Sequence, residues 1–273
     1  MHLGKLKIPP LRSGHAMLLA QNLVLMGIFF TVPLFLQIVQ GLDALETGIR
    51  MLPASVGLFV TALTGSALAK RFPARTLVRA GLVVVLVSIL LLLDTIEPDL
   101  DNTSFLVAMG VLGVGMGLIV SQLGNVVQSA VEDRDRSEAG GLQYTAQQLG
   151  SSLGTALLGA IVITGLITAF TGNIADDPRI SSDVEQQVNV RVSAGASFVS
   201  ADQVRSAAAK EGLDPETAEH LVGDYEDAQL SALKIAFLAA ALLVVVSLLF
   251  TSRLPTRRFD ELEAERGPPP APA

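Results

Sequence analysis

The side chains of this sequence that can do chemistry are mostly amides, and they stand inside long apolar runs. Gln122, Asn125 and Gln128 recur every three residues in the run 104–130. Gln143 and Gln147 are four apart in the run 139–170, with Gln148 alongside, and Gln37 stands near the end of the run 16–39. Such spacing puts each set on one face of a helix. An amide is neither a proton donor for acid–base catalysis nor a nucleophile. It hydrogen-bonds, and in apolar surroundings it needs a partner. Two readings stay open: interhelical hydrogen bonding, or the lining of a polar cavity that binds substrate or water. Gln122 and Gln147 lie deepest in their runs, whereas Gln128 and Gln143 stand at the rims. Lys234 lies within the run 229–251, about a turn from its end, where a long stem lets the ammonium reach the headgroups.

Other chemistries find little to work with. There is no phosphate-binding GxxxxGK[ST], no HExxH, no nucleophile elbow and no Ser/His/Asp set within one region. His15 opens the first run and His220 falls in a polar segment, so neither is expected to be a buried relay. Without cysteine there is neither a disulfide nor a thiolate metal site. Of 26 acids only Glu46 touches an apolar run, at its rim, so no carboxylate is available within these runs to carry a proton. The expectation is a protein that is not an enzyme and uses no metal or cofactor.

The elements that position the amides follow from composition. Half of the 273 residues are hydrophobic, only 16% are charged, and the mean hydropathy is +0.53. An ordinary soluble domain is about 25% charged. Disorder, a nucleic-acid binder and a disulfide scaffold are excluded, and a polytopic membrane protein remains. A helix needs about 20 apolar residues to cross about 30 Å of hydrocarbon. Six runs qualify: 16–39, 45–69, 76–93, 104–130, 139–170 and 229–251. Numbering the connections alternately puts 13 of the 19 basic residues on one side, including Lys70, Arg71, Arg75 and Arg79. The positive-inside rule then places both termini in the cytoplasm.

The organisation expected is a cytoplasmic segment 1–15, five spans within 16–170, an external loop 171–228, a sixth span 229–251 and a cytoplasmic tail 252–273 with a disordered Pro-rich end. The external loop holds 12 acids against four bases. Ser200-Ala-Asp-Gln203 fits a capping box, and Asp214-Pro215-Glu216 fits an N-cap with proline at the first helical position. The loop therefore reads as a hairpin of two short helices, either a solvated cap or a lid. Small residues mark close helix contacts: Gly57, Thr61 and Gly65 in the second span, Gly113 and Gly117 in the fourth, Gly150 and Gly154 in the fifth. Pro33 and Pro53 lie inside the first two spans, where each removes a backbone hydrogen bond. Gly41 and Gly48 are expected to bracket a tight turn.

Leu36-Gln37 through Gly41, Gly48 and Leu52-Pro53 resembles the signature joining two helices in the fourteen-span drug:proton antiporter branch of the major facilitator superfamily. Ala139-Gly-Gly-Leu-Gln-Tyr-Thr-Ala-Gln-Gln-Leu-Gly150 looks like the penultimate span of that branch. The long acidic loop before the last helix and Leu254-Pro255 after it fit as well. Ser66 to Arg75 resembles the superfamily's cytoplasmic loop motif. Arg71 and Arg75 match, while Ser66, Lys70 and Pro73 replace Gly, Asp and Gly. The resemblance implies an all-α, six-helix bundle, the C-terminal half of a proton-coupled multidrug efflux permease, whose N-terminal half, with the coupling acid, is absent from this chain. It further implies amphipathic or cationic substrates, met by Gln37, Gln122, Asn125, Gln147 and aromatics such as Phe29, Phe30 and Phe59. The implied partners are the bilayer, the substrate and that other half, with no nucleic acid; the setting is the plasma membrane. A non-transporting membrane scaffold, docking through the glycine faces, is the alternative.

Overall fold

The chain folds into eight helices among the described residues, α1 (Pro9–Leu34), α2 (Ala44–Arg71), α3 (Ala74–Asp94), α4 (Asn102–Ser129), α5 (Arg136–Asp176), α6 (Ser182–Ala194), α7 (Ala201–Lys210) and α8 (Pro215–Phe250). The computed structural model describes residues 9–98, 100–129, 136–194 and 197–253. Helices α1 to α5 and α8 are each long and apolar enough to cross a membrane. The protein is an all-α, multi-pass membrane protein.

The turn between the first two spans shows how local chemistry sets the bundle. After Pro33, α1 loosens into a π-helical turn, Phe35–Val39. Gly41 then takes φ +66°, a left-handed conformation that glycine adopts without strain. This lets the Leu42 N–H reach back to the Leu36 carbonyl at 3.0 Å. Asp43 caps α2 by accepting from the Glu46 N–H at 2.8 Å, and the Glu46 carboxylate accepts from the Asp43 N–H at 3.4 Å. Gly48 lies inside α2, so Gly41 alone shapes this turn. Pro53 sits within α2, near the middle of its apolar stretch.

Two parallel helix pairs carry the close approaches. Gly150 and Gly154 of α5 sit against the backbone carbonyls of Leu19 and Leu23 in α1. Gly113 and Gly117 of α4 lie on Ala54, Leu58 and Thr61 of α2, and Gly57 lies on Gly110 and Val114. A side chain at any of these glycines would meet backbone, so their smallness is what lets the helices touch. Antiparallel contacts complete the bundle. Gly81 and Val85 of α3 face Gly115 and Ile119 of α4, and Gly165 of α5 faces Ala232 of α8. One core runs through all six spans, from Met17 and Val24 through Ile89, Met109 and Met116 to Phe237 and Val244.

The segment 171–228 departs from the expected hairpin of two short helices. Helix α5 continues to Asp176, and α6 follows with Val184, Val188 and Val192 turned to a second, smaller core. Helix α7 starts at the Ser200–Gln203 capping box. The helix capped by Asp214 does not stop before the last span. It is the last span, one unbroken α8 of 36 residues. The second core gathers Leu166, Phe170 and Ile174 of α5 with Leu221, Tyr225 and Ala228 of α8 beneath α6 and α7. Phe170 and Tyr225 meet edge to face, with centroids 5.1 Å apart. The Tyr225 hydroxyl accepts from the Val199 N–H at 3.0 Å, and the Gln229 amide donates to the Val199 carbonyl at 2.7 Å. The α6–α7 cap is thereby fastened to α8.

Candidate functional site

The amides are separated by the bundle, and each has a different environment. Gln122 is fully buried between α4 and α2. Its Nε2 donates to the Gly65 carbonyl at 3.0 Å and to Ser121 Oγ at 3.1 Å, and its Oε1 has no partner. Gly65 makes this possible, because Ser121 and the Gln122 amide occupy the space a side chain would fill there. In its packed position Gln122 ties two helices together and faces no open space. Gln147 is half-buried on α5, and its carbonyl accepts from Ser151 Oγ at 2.9 Å. Gln37 is exposed in the π-helical turn. The Asn125 side chain lies outside the described residues. Among the described residues no hydrogen bond joins Gln37, Gln122 and Gln147 to one another.

The aromatics divide in the same way. Phe29 is half-buried against the main core, and Phe30 packs over Gly159 of α5. Phe59 is 63% exposed on the far side of α2, in a row with Leu45, Ile49, Leu52, Val56 and Leu63. That row repeats every three or four residues and is exposed, with no cover among the described residues.

What the structure does assemble is a polar seam between α1 and α5. Asn22 on α1 is half-buried, and its Nδ2 donates to the Leu18 carbonyl at 2.9 Å. Gly150 of α5 packs beside the Asn22 Cβ. Gln143, Gln147 and Ser151 follow at four-residue steps on the same helix, just before and beside that contact. On α1 the half-buried stripe continues from Asn22 through Met26, Phe29 and Pro33 to the exposed Gln37. This surface offers amide and hydroxyl hydrogen bonds beside aromatic and thioether contacts. It carries no charge, so hydrogen bonding and apolar contact are the chemistry open to it.

Among the buried polar groups that sequence reasoning missed, two lie on α1. Gln21 of α1 is 4% exposed, and its Oε1 has no partner. His15, expected only to open the first span, is buried at 8%. The signal was present: Met17 and Val24, one turn to either side of Gln21, belong to the core. The letters Gly-x-Ser-x-Gly do occur at Gly150–Gly154, but in the middle of α5. A nucleophile elbow needs a strand-to-helix turn, so this serine is not one. Among the described residues no His/Cys/Asp/Glu group is arranged to hold a metal.

The charged chemistry sits at the two ends. At the cap, Arg179 clasps Asp177 with Nε and Nη2, both at 2.8 Å. Those guanidinium hydrogen bonds, with the Arg179 backbone N–H, hold the Asp177 carboxyl down to about 2. At the other end Lys70 and Arg71 close α2, and Arg75 stands in the first turn of α3. Lys234 is exposed on α8.

Comparison with known proteins supplies the family. Residues 3–155 match the Major Facilitator Superfamily. The multidrug efflux pump LfrA of Mycolicibacterium smegmatis is 29% identical over 247 residues, which is 90% of this chain and 47% of that protein. A protein of Streptomyces coelicolor named "Probable actinorhodin transporter" is 32% identical over 60% of this chain and 30% of its own length. The tetracenomycin C resistance and export protein of Streptomyces glaucescens is 28% identical over 70% of this chain and 36% of its own length. The chain thus spans about half or less of each of these relatives. With a matching stretch that covers more than half of its residues and a bundle of six membrane-spanning helices, this chain belongs to the Major Facilitator Superfamily.

Proposed function

We propose that this chain is one six-helix half of a multidrug efflux permease that works by alternating access against a second half. The observation that carries the proposal is the alignment with a named multidrug efflux pump along 90% of this chain but 47% of the pump. Two further features support it. The apolar row on α2 is exposed among the described residues and the polar α1–α5 seam is only half-buried, as surfaces facing a second bundle and a substrate path would be. The apolar runs hold no carboxylate except Glu46 at a rim, so a proton-coupling acid deep in the membrane would have to come from the other half.

Asn22, Gln147 and Ser151 would meet substrate, with Phe29 and Gln37 along the same stripe. Gln122 would hold α2 to α4. Substrates of this class are amphipathic or cationic, and a seam of neutral amides and apolar groups suits broad recognition by shape and hydrogen bonding. Proline-containing spans of this kind suit bundles that rock against each other.

The test is a chimera of this chain with the portion of the Mycolicibacterium pump that it does not span. In drug-sensitive cells the chimera should lower accumulation of a panel of lipophilic cations. Asn22→Ala and Gln147→Ala should change relative efflux across the panel severalfold at unchanged membrane level. An unaltered profile in both variants would remove the seam from the substrate path. Proton-driven efflux by the 273-residue chain alone in vesicles would defeat the half-transporter reading. Orientation is testable separately. The chain has no native cysteine, so single cysteines at Ser206 and Thr76 can be labelled with an impermeant maleimide in intact cells. Labelling of Ser206→Cys alone is the outcome expected for cytoplasmic termini in the plasma membrane.

A further inference from the structure

The end of the bundle opposite the cap carries a group of cations with no carboxylate partner among the described residues. Lys70 and Arg71 stand in the last turn of α2, and Arg75 and Arg79 in the first two turns of α3. Among the described residues none of the four has a carboxylate partner. Arg75 and Arg79 are four residues apart and therefore share a face of α3. Arg79 is fixed, its Nε donating at 2.7 Å to Thr251 Oγ1, a fully buried hydroxyl at the end of α8. Arg75 is half-buried, and its Nε is buried without any hydrogen-bond partner.

One of these positions runs against the helix electrostatics. Lys70 and Arg71 suit the negative C-terminal end of α2. Arg75 sits at the positive end of α3, with Arg79 one turn further in, and that end has no acid in its first turn and no side-chain cap at Pro73. Cations there raise the energy of the folded chain unless an anion joins them. The position names the kind of anion. The four cations fall between the apolar stretches of two helices that are each long enough to span a membrane, at the end of α2 and the start of α3, which is the level of lipid phosphates. Phe72, in the middle of it, is 46% exposed, and an aromatic ring at this depth packs against the top of the acyl chains.

We infer that Lys70, Arg71, Arg75 and Arg79, with Phe72, form a binding site for the phosphate of an anionic phospholipid. The free Arg75 Nε and the flanking cations grip the phosphodiester, and the Phe72 ring lies along the glycerol and upper chain. The inference stands on the membrane spans and this loop, and is independent of the transport reading.

The whole chain, purified in a neutral detergent, is offered equimolar phosphatidylglycerol and phosphatidylcholine, and retained lipid is counted by native mass spectrometry. Phosphatidylglycerol should be retained about tenfold over phosphatidylcholine. Each neutralisation, Arg71→Gln or Arg75→Gln, should lower its affinity about fivefold. Arg75→Lys should keep more of it than Arg75→Gln, and Arg205→Gln at the cap should change nothing. On the unaltered chain, which meets no folding problem, high salt should reduce phosphatidylglycerol retention severalfold. Equal retention of the two lipids, salt-independent retention, or full binding by Arg71→Gln and Arg75→Gln would each overturn the assignment. Inorganic phosphate separates the two sources of the anion. Displacement of the lipid by millimolar phosphate would mark a free-phosphate site and overturn the lipid reading; resistance to it supports the lipid.

Discussion

Gly113→Ala adds one methyl group to the seam between α2 and α4. That methyl would stand 2.8 Å from the carbonyl carbon of Ala54 and 2.9 Å from its Cα, and closer still to its oxygen. All three are backbone atoms, so no rotamer change relieves the contact, and the helices must part by roughly 1 Å. Helix α2 is the one that yields. Only 11% of its apolar window is buried, against 50% in α4. Overpacking of this kind costs about 1–3 kcal/mol. Parting the helices also stretches the 3.0 Å bond from Gln122 to Gly65, about 0.6 kcal/mol for an interhelical bond in a membrane protein. Alanine returns up to about 1 kcal/mol in helix propensity. The balance is about 1–3 kcal/mol of destabilisation, or a melting point lower by about 3–10 °C for a chain of this size. The assay is thermal unfolding of the purified chain followed by far-UV circular dichroism. Gly172→Ala is the matched control, because a Cβ at Gly172 meets nothing within 4 Å. Its melting point should stay level or rise by a few degrees. If Gly113→Ala melts at or above Gly172→Ala, the close-approach account of the α2–α4 seam is wrong.

Gln122→Leu removes the bond to Gly65 but also removes the unpartnered Oε1, so stability should change by less than about 1 kcal/mol. In the chimera this variant should leave the efflux profile unaltered, whereas Gln147→Ala should not. Asp177 is ionised with its carboxyl at about 2, below its ordinary 3.8. A lowered value in the fold contributes stability above the ordinary value that is lost as pH falls through the lower one. Hydrogen exchange of the α5–α6 joint should therefore accelerate between about pH 4 and pH 2, and Asp177→Asn should be fast already at neutral pH. Tyr225→Phe deletes the hydroxyl that meets the Val199 N–H at 3.0 Å. It should cost about 1–2 kcal/mol locally, seen as faster exchange at residues 197–200 with the spans unaffected.

The spans were legible because hydrocarbon excludes charge, and their ends follow from where the charges stop. The glycine contacts were legible too, since Gly113, Gly150 and Gly154 each stand where a neighbouring carbonyl leaves no room. Capping residues announced the starts of α7 and α8: Ser200 accepts from the Gln203 N–H at 3.4 Å and Asp214 from the Thr217 N–H at 3.0 Å. A cap marks where a helix begins and says nothing about where it ends, so the fusion of residues 215–228 with the last span was hidden. Helix α6 was hidden because Val184, Val188 and Val192 are a thin apolar line in a polar segment, meaningful only once the second core covers them. The inward or outward face of each amide was the least legible feature. A helix that is apolar on every side does not specify its own rotation. Gln21 and Gln37 have similar surroundings in sequence, yet one is buried and the other exposed, because α5 and α8 cover only one side of α1.

Helices α5 and α8 run for 41 and 36 residues without a break, about 60 and 54 Å at 1.5 Å per residue. Roughly half of each rod is enough to cross the hydrocarbon; the rest projects into water with α6 and α7 strapped to it by Tyr225 and Gln229. Such a rod is a lever arm. A tilt of about 10° within the membrane sweeps the far end through roughly 9 Å, so the cap acts as a pointer that magnifies small rotations of the bundle. The leverage also runs backwards: a rigid binder that grips the cap at one angle would restrain the bundle from a distance, without entering the membrane.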